Sequence, residues 1–314
     1  MTLERATATR GVALMGVCNV TPDSFSDGGL HFDRAAARGR VDALLAEGAD
    51  IIDIGGESTR PRAEPVPPKV QLERVLDVVR YAAGLGACVS IDTTSPEVAA
   101  ASLDAGACAV NDVSCLLDGV LARVVAASGA SLVLMHARGT QRDMGGFSSY
   151  PDDAYGDVVG DVCREWEAAA DRARSAGVPR DALVMDPGFG FAKNVRHSTE
   201  LLARLAEVVR AVGVPVAVGA SRKSFLTVVD GGDGKRGEKT APTDRIGASI
   251  AAALHAARAG ASVLRVHDVR ATRQAIDLER VLAAHVASAP AIALAPASAA
   301  PAIAPAHASA KGGA

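Results

Sequence analysis

Asp92, Asn111 and Asp186 each stand at the end of a short apolar run, at Cys88 to Ile91, Ala109 to Asn111 and Ala182 to Met185. Two carboxylates and an amide suit a ligand with a row of N–H donors, such as a 2-amino-4-oxo heterocycle, because a carboxylate accepts two parallel bonds from a guanidine-like edge. A second set is cationic: Arg60, Lys223, Arg265 and His267 suit an anionic group on the same ligand or its neighbour. The two sets together imply a donor-rich ring bearing a phosphate. Each residue alone has an ordinary reading as well. An Asp after a strand is commonly a helix cap, Arg60 could be a surface ion pair, and Lys223 could neutralise a helix. His136 reads better as a satisfied core histidine than as a ligand, and Cys18 as a small strand residue. Met135 and Phe191 are ordinarily core but could wall a flat ring.

Positioning such residues requires a regular scaffold. Eight runs rich in Val, Ile, Leu and Met are predicted as strands: Val12 to Val17, Asp50 to Ile54, Cys88 to Ile91, Ala109 to Asn111, Ser131 to Met135, Ala182 to Met185, Val216 to Val218 and Ser262 to Val266. Helical signals follow them. Ser95-Pro96-Glu97 supplies a cap, a first-turn proline and a first-turn acid. After Ser198, the residues Leu201, Leu202, Leu205, Val208, Val209 and Val212 share one helical face that Gly213 ends. Tyr150 to Ala176 is expected to be the longest helical region, and Asp244 to Ala259 a further helix. Strands this apolar, alternating with helices, predict an α/β fold: a single (β/α)8 TIM barrel with extended loops after strands 1 and 2. A doubly wound open sheet is the alternative, but it would scatter polar residues that a barrel gathers at one mouth.

Composition narrows the function. The chain has 314 residues, 49% of them apolar, and 33 basic against 36 acidic side chains, which leaves no electrostatic footprint for nucleic acid or an anionic membrane. No apolar run reaches membrane-spanning length. The five cysteines, Cys18, Cys88, Cys108, Cys115 and Cys163, show neither a CxxC pair nor a metal-ligand spacing, and fit a reducing cytoplasm. Expected domains are a polar segment at 1–10, the barrel at 11–287 and a flexible Ala/Pro-rich tail at 288–314. The run Asp230 to Lys239 reads as a solvated loop, with a lid as the alternative.

Seven motifs carry a resemblance: Asn19 to Gly29 (NVTPDSFSDGG), Gly55 to Pro61 (GGESTRP), Ser90-Ile91-Asp92-Thr93, Asn111-Asp112-Val113-Ser114, Asp186 to Phe191 (DPGFGF), Ser221-Arg222-Lys223-Ser224 and Arg265-Val266-His267-Asp268. In this order, from about Gly11 to Glu279, the chain resembles the dihydropteroate synthase family of pterin-binding barrels. The resemblance implies a homodimeric enzyme of folate synthesis that joins 6-hydroxymethyl-7,8-dihydropterin diphosphate to 4-aminobenzoate with Mg2+ as cofactor. It places the pterin at Asp92, Asn111, Met135, Asp186, Phe191 and Lys223, and the diphosphate at Asn19, Arg60, Arg265 and His267. Mg2+ falls at Asn19, and the aminobenzoate near Phe25, Thr59, Pro61, Phe191, Lys223 and Ser224. Catalytic roles are expected for Asn19, Asp27 and Lys223, with Asp27 stabilising a developing pterin cation under a loop that Pro22 and Gly28-Gly29 allow to close. The chain departs from the family pattern at Ala192-Lys193-Asn194 (for Gly-Lys-Thr), at Cys115-Leu116 (for Gly-Gly) and at His136-Ala137-Arg138-Gly139 (for His-Met-Arg-Gly). The rival readings are a pterin-binding paralogue without activity and a methyltetrahydrofolate-dependent corrinoid methyltransferase.

Overall fold

The computed structural model describes residues 11–21, 34–57, 65–140, 150–230 and 240–288. The eight apolar runs form strands β1 (Ala13–Asn19), β2 (Ile51–Gly55), β3 (Cys88–Asp92), β4 (Ala109–Asp112), β5 (Ser131–Met135), β6 (Leu183–Asp186), β7 (Ala217–Val218) and β8 (Val263–Val266). All pairings are parallel in the order β6-β5-β4-β3-β2-β1-β8-β7. A parallel bridge between Met185 and Val216, with the Met185 amide donating to the Pro215 carbonyl at 2.9 Å, joins the two ends. The sheet therefore curls into a barrel rather than opening as a doubly wound sheet.

Helices α1 (Arg34–Ala46), α2 (Pro68–Gly84), α3 (Pro96–Asp104), α4 (Gly119–Ser128), α5 (Val158–Ser175), α6 (Val195–Ala203), α7 (Leu205–Val212), α8 (Ile246–Arg258) and α9 (Val269–Ser288) cover the outside. The predicted Ser95 cap is present, accepting from the Val98 amide, and Gly213 ends α7 in the left-handed conformation. Two helical expectations need correction. Residues 150–157 are not helical, because Asp157 caps α5 by accepting from the Gly160 amide, and the longest helix among the described residues is α9. The single helix expected after Ser198 begins instead at Val195, capped by Asn194, and breaks at Arg204. Arg204, which stands at that break, gathers Asp157, Glu200 and Glu207.

Side chains alternate along each strand. One set packs outward onto the helices; at Gly16, an added Cβ would lie 2.9 Å from Leu44 and 3.2 Å from Val269, so the bare backbone lets α1 and α9 close over β1. The other set fills the barrel. Met15, Ile51, Cys88, Val133, Val184 and Val263 form an apolar plug at its base, and polar residues stand nearer the mouth: Asp53, Asp92, Asn111, Asp186 and Arg265. Among the described residues no helix is long and apolar enough to cross a membrane.

Candidate active site

Strand register sets the mouth. Asn19 pairs with Gly55, Gly55 with Asp92, and Asp92 with Asn111, so three of the predicted residues form one row across β1 to β4. Gly55 lies within this row, where a Cβ would make ordinary contact, 3.4 Å from Asp92 Cβ and 3.8 Å from Asn19 Oδ1. On the far side a Cβ at Gly219 would likewise make ordinary contact, 3.5 Å from Asp186 Oδ2.

Arg265 crosses the interior between these walls. Its Nε donates to Asp53 Oδ2 at 2.7 Å and its Nη2 to Asp92 Oδ2 at 2.8 Å, while the Asn111 amide donates to Asp53 Oδ2 at 3.3 Å. The sequence reading gave Arg265 to an anionic ligand; the structure ties it to two buried carboxylates. Burial works against the Arg265 charge, but Asp53 and Asp92 outweigh it and hold the guanidinium above its ordinary range. Burial pushes the Asp92 carboxyl up to about 7, against the pull of Arg265. One oxygen on each acid, Asp53 Oδ1 and Asp92 Oδ1, is buried with no protein partner. A buried acceptor of this kind is costly unless a donor meets it.

Asp186 accepts the Gly188 amide at 2.7 Å, which folds the loop after β6 back over the mouth. Burial raises its carboxyl, with Lys223 pulling the other way. Lys223 donates to the Phe189 carbonyl at 2.6 Å, and its Nζ lies 4.2 Å from the centre of the Phe191 ring. Burial brings this lysine down to about 8, opposed by Asp186. Met135 and Phe191 are buried beside this loop, and the Ser224 hydroxyl is buried without a partner.

His267 sits against Ser221, with Nδ1 3.2 Å from the hydroxyl. Burial first, then Arg265, lowers it to about 3, so it is neutral near pH 7 and offers a hydrogen bond rather than the charge expected of it. Beside it a cavity of about 570 Å3 is lined by Asn19, Arg40, Arg222, His267 and Arg270. Asp27, Phe25, Thr59, Arg60 and Pro61 lie outside the described residues, as do most of the two loops that carry them and the run 231–239.

Sequence reading missed the support behind the mouth. Lys193 is fully buried; its Nζ lies 2.8 Å from His136 Nδ1 and donates to the Gly188 and Phe191 carbonyls, both at 3.1 Å. His136 Nε2 meets Glu165 Oε2 at 3.0 Å, and Arg138 Nε donates to the same oxygen at 2.8 Å while its Nη2 donates to Oε1. A histidine whose Nδ1 faces an ammonium accepts there and donates from Nε2, so the network fixes its tautomer. His136 is thus the satisfied core histidine expected, pushed by burial to about 4, while burial lowers Lys193 to about 7. The departures from the family pattern gave the available signal. Cys115, Leu116 and Ala192, standing where glycine was expected, all have positive φ, at 59°, 55° and 50°, a region disfavoured for side-chain-bearing residues.

Among the described residues, no group of three or more His, Cys, Asp or Glu could hold a metal. Asn19 offers a neutral amide oxygen at the mouth, the kind of lone ligand that serves a hydrated hard cation arriving with a phosphate.

Residues 15–267 match the family model described as Pterin binding enzyme. The chain is 45% identical over 284 residues to the dihydropteroate synthase of Mycobacterium leprae, covering 90% of this chain and 96% of that protein. Among solved structures, it resembles Xanthomonas albilineans dihydropteroate synthase with 4-aminobenzoic acid, at 40% identity and TM-score 0.77, covering 89% and 94% of the two chains. A complex of the Xanthomonas albilineans enzyme with 7,8-dihydropteroate matches at 37% identity and TM-score 0.74, covering 89% and 95%.

Proposed function

The chain belongs to the pterin binding enzyme family, and from that membership we infer that it is a dihydropteroate synthase, condensing 6-hydroxymethyl-7,8-dihydropterin diphosphate with 4-aminobenzoate to 7,8-dihydropteroate and pyrophosphate. The observation that carries the reading is the unpaired Asp92 Oδ1 in a buried row with Asn111, facing Asp186 across the barrel. A pterin presents N–H donors along one edge and a carbonyl at another, which meets acceptors at Asp92 and Asp186 and the amide of Asn111. Arg265 opposes the effect of burial and pulls Asp92 toward the ionised form that suits this role, and Met135 with Phe191 would wall the flat ring.

The reaction forms a bond from the aminobenzoate nitrogen to the pterin methylene and breaks the methylene C–O bond, whose electron pair leaves with pyrophosphate. The aniline nitrogen is neutral at pH 7, so the proton it sheds after attack needs no strongly basic residue. The leaving charge is met from the side of Asn19 and His267, with Arg60 as the further expected contact. Mg2+, if it accompanies the diphosphate, supplies Lewis-acid stabilisation of the leaving oxygens, and Asn19 is the residue that would hold it. Lys223 and Ser224, beside Phe191, would receive the aminobenzoate together with Phe25, Thr59 and Pro61, while Asp27 would face the developing cation.

Homodimerisation is part of the same reading, supported by exposed Leu278, Val281, Leu282 and Val286 along the second half of α9. Five free thiols suit the reducing cytoplasm. Turnover of the two substrates, lost in Asp186→Asn and after chelation of Mg2+, tests the assignment; sedimentation of the full chain with and without Val281→Glu tests the dimer.

A further inference from the structure

Cys88 and Cys108 sit 20 residues apart in sequence, yet their sulfurs approach to 2.8 Å at the base of the barrel, at the end away from the mouth. The Cys108 amide donates to the Val89 carbonyl at 2.8 Å, which fixes the offset of the two neighbouring strands and so the meeting of the thiols. Less than about 1 Å of travel separates them from a disulfide bond of about 2.05 Å. Both are free thiols here; Cys88 is buried in the apolar plug and Cys108 is half-buried. We propose that Cys88 and Cys108 form a reversible disulfide, a modification site at the barrel base that leaves the mouth untouched.

The asymmetry of the pair assigns the roles. A hydrogen bond from Cys88 holds the Cys108 sulfur below the ordinary thiol range, and the same contact, with burial, holds Cys88 above it. Cys108 is therefore the accessible nucleophile. Its thiolate attacks a low-molecular-weight disulfide such as oxidised glutathione, whose S–S bond breaks and releases one half as thiolate. Cys88 then gives its proton to that thiolate and attacks the Cys108 sulfur, expelling the second half. Two protein thiols are oxidised and one small disulfide is reduced to two thiols. The product joins β3 to β4 beneath Asp92 and Asn111, constraining the unfolded chain more than the folded one. The inference does not depend on the enzymatic reading.

The test treats the native full chain with oxidised glutathione, alkylates the remaining thiols in denaturant, and cleaves at Asp and Glu; Glu97 and Asp112 then separate Cys88, Cys108 and Cys115. Expected are a Cys88–Cys108 linked peptide lacking two hydrogens, a melting midpoint raised by several degrees, and reversal of both by dithiothreitol. Cys108→Ser and Cys88→Ala, made separately, should each remove the linkage, and either one that folds suffices. A stable glutathione adduct on Cys108 with Cys88 still alkylated, or linkage of Cys108 to Cys115, overturns the proposal. Cys163, half-buried and without a sulfur partner, provides the control for simple adduct formation.

Discussion

Arg265 Nη2 donates to Asp92 Oδ2 at 2.8 Å, so the residue expected to face an anionic ligand also governs the charge of the carboxylate expected to face the pterin. Its Nε holds Asp53 at the same time. Arg265→Met would leave two buried carboxylates without their counter-charge, a change that costs roughly 3–5 kcal/mol. Chemical denaturation should show that loss, and calorimetry should show weaker binding of a pterin to the folded fraction. Unchanged stability would mean that Asp53 and Asp92 find another partner.

Lys223 is charged below about pH 8 and neutral above it. If its cation serves the site, kcat/KM falls as pH rises through that value, while Lys223→Arg, which keeps its charge, loses the alkaline limb even where its overall rate is lower. A flat wild-type profile from pH 7 to 9 contradicts the role.

His136 is lowered from 6.5 to about 4 by burial. The unfolded chain therefore binds a proton before the folded one does, and stability present above about pH 6.5 is lost as pH falls toward 4. The shift corresponds to roughly 3 kcal/mol over that window. Denaturation midpoints measured between pH 4 and 7 should slope accordingly, and His136→Asn should flatten the slope.

Ala192 holds φ at 50° while its carbonyl accepts from the Tyr155 hydroxyl at 3.0 Å. Ala192→Gly relieves the left-handed strain at the cost of some unfolded-state entropy, and a net gain of about 0.5–1 kcal/mol is expected. Thermal melts of the two proteins decide it. The neighbouring turn behaves oppositely: a Cβ at Gly188 would lie 2.0 Å from the His136 carbonyl, so Gly188→Ala should disrupt the loop that carries Asp186 and Phe191.

The barrel was legible because its strands are buried on both faces and read as continuous apolar runs, and because polar residues recur where those runs end. Asn19, Asp92, Asn111 and Asp186 could be found by that rule alone. Arg265 could be found but not understood, since its pairing with Asp53 depends on a register 212 residues away in sequence. Lys193 was illegible for a related reason: a buried lysine looks like any surface lysine until the carbonyls that receive it are folded around it. The break at Arg204 escaped the helical pattern because no glycine or proline marks it. Cys88 and Cys108 looked scattered because a parallel crossover, not a spacing motif, brings them together.

The central claim is tested most directly by incubating the protein with dihydropterin diphosphate, 4-aminobenzoate and Mg2+ while following both products, with Asp186→Asn beside it. The account predicts pyrophosphate and 7,8-dihydropteroate in equal amounts, both lost in the variant. Tight pterin binding with neither product would contradict it, and would mean a pocket that recognises the ring without performing the substitution.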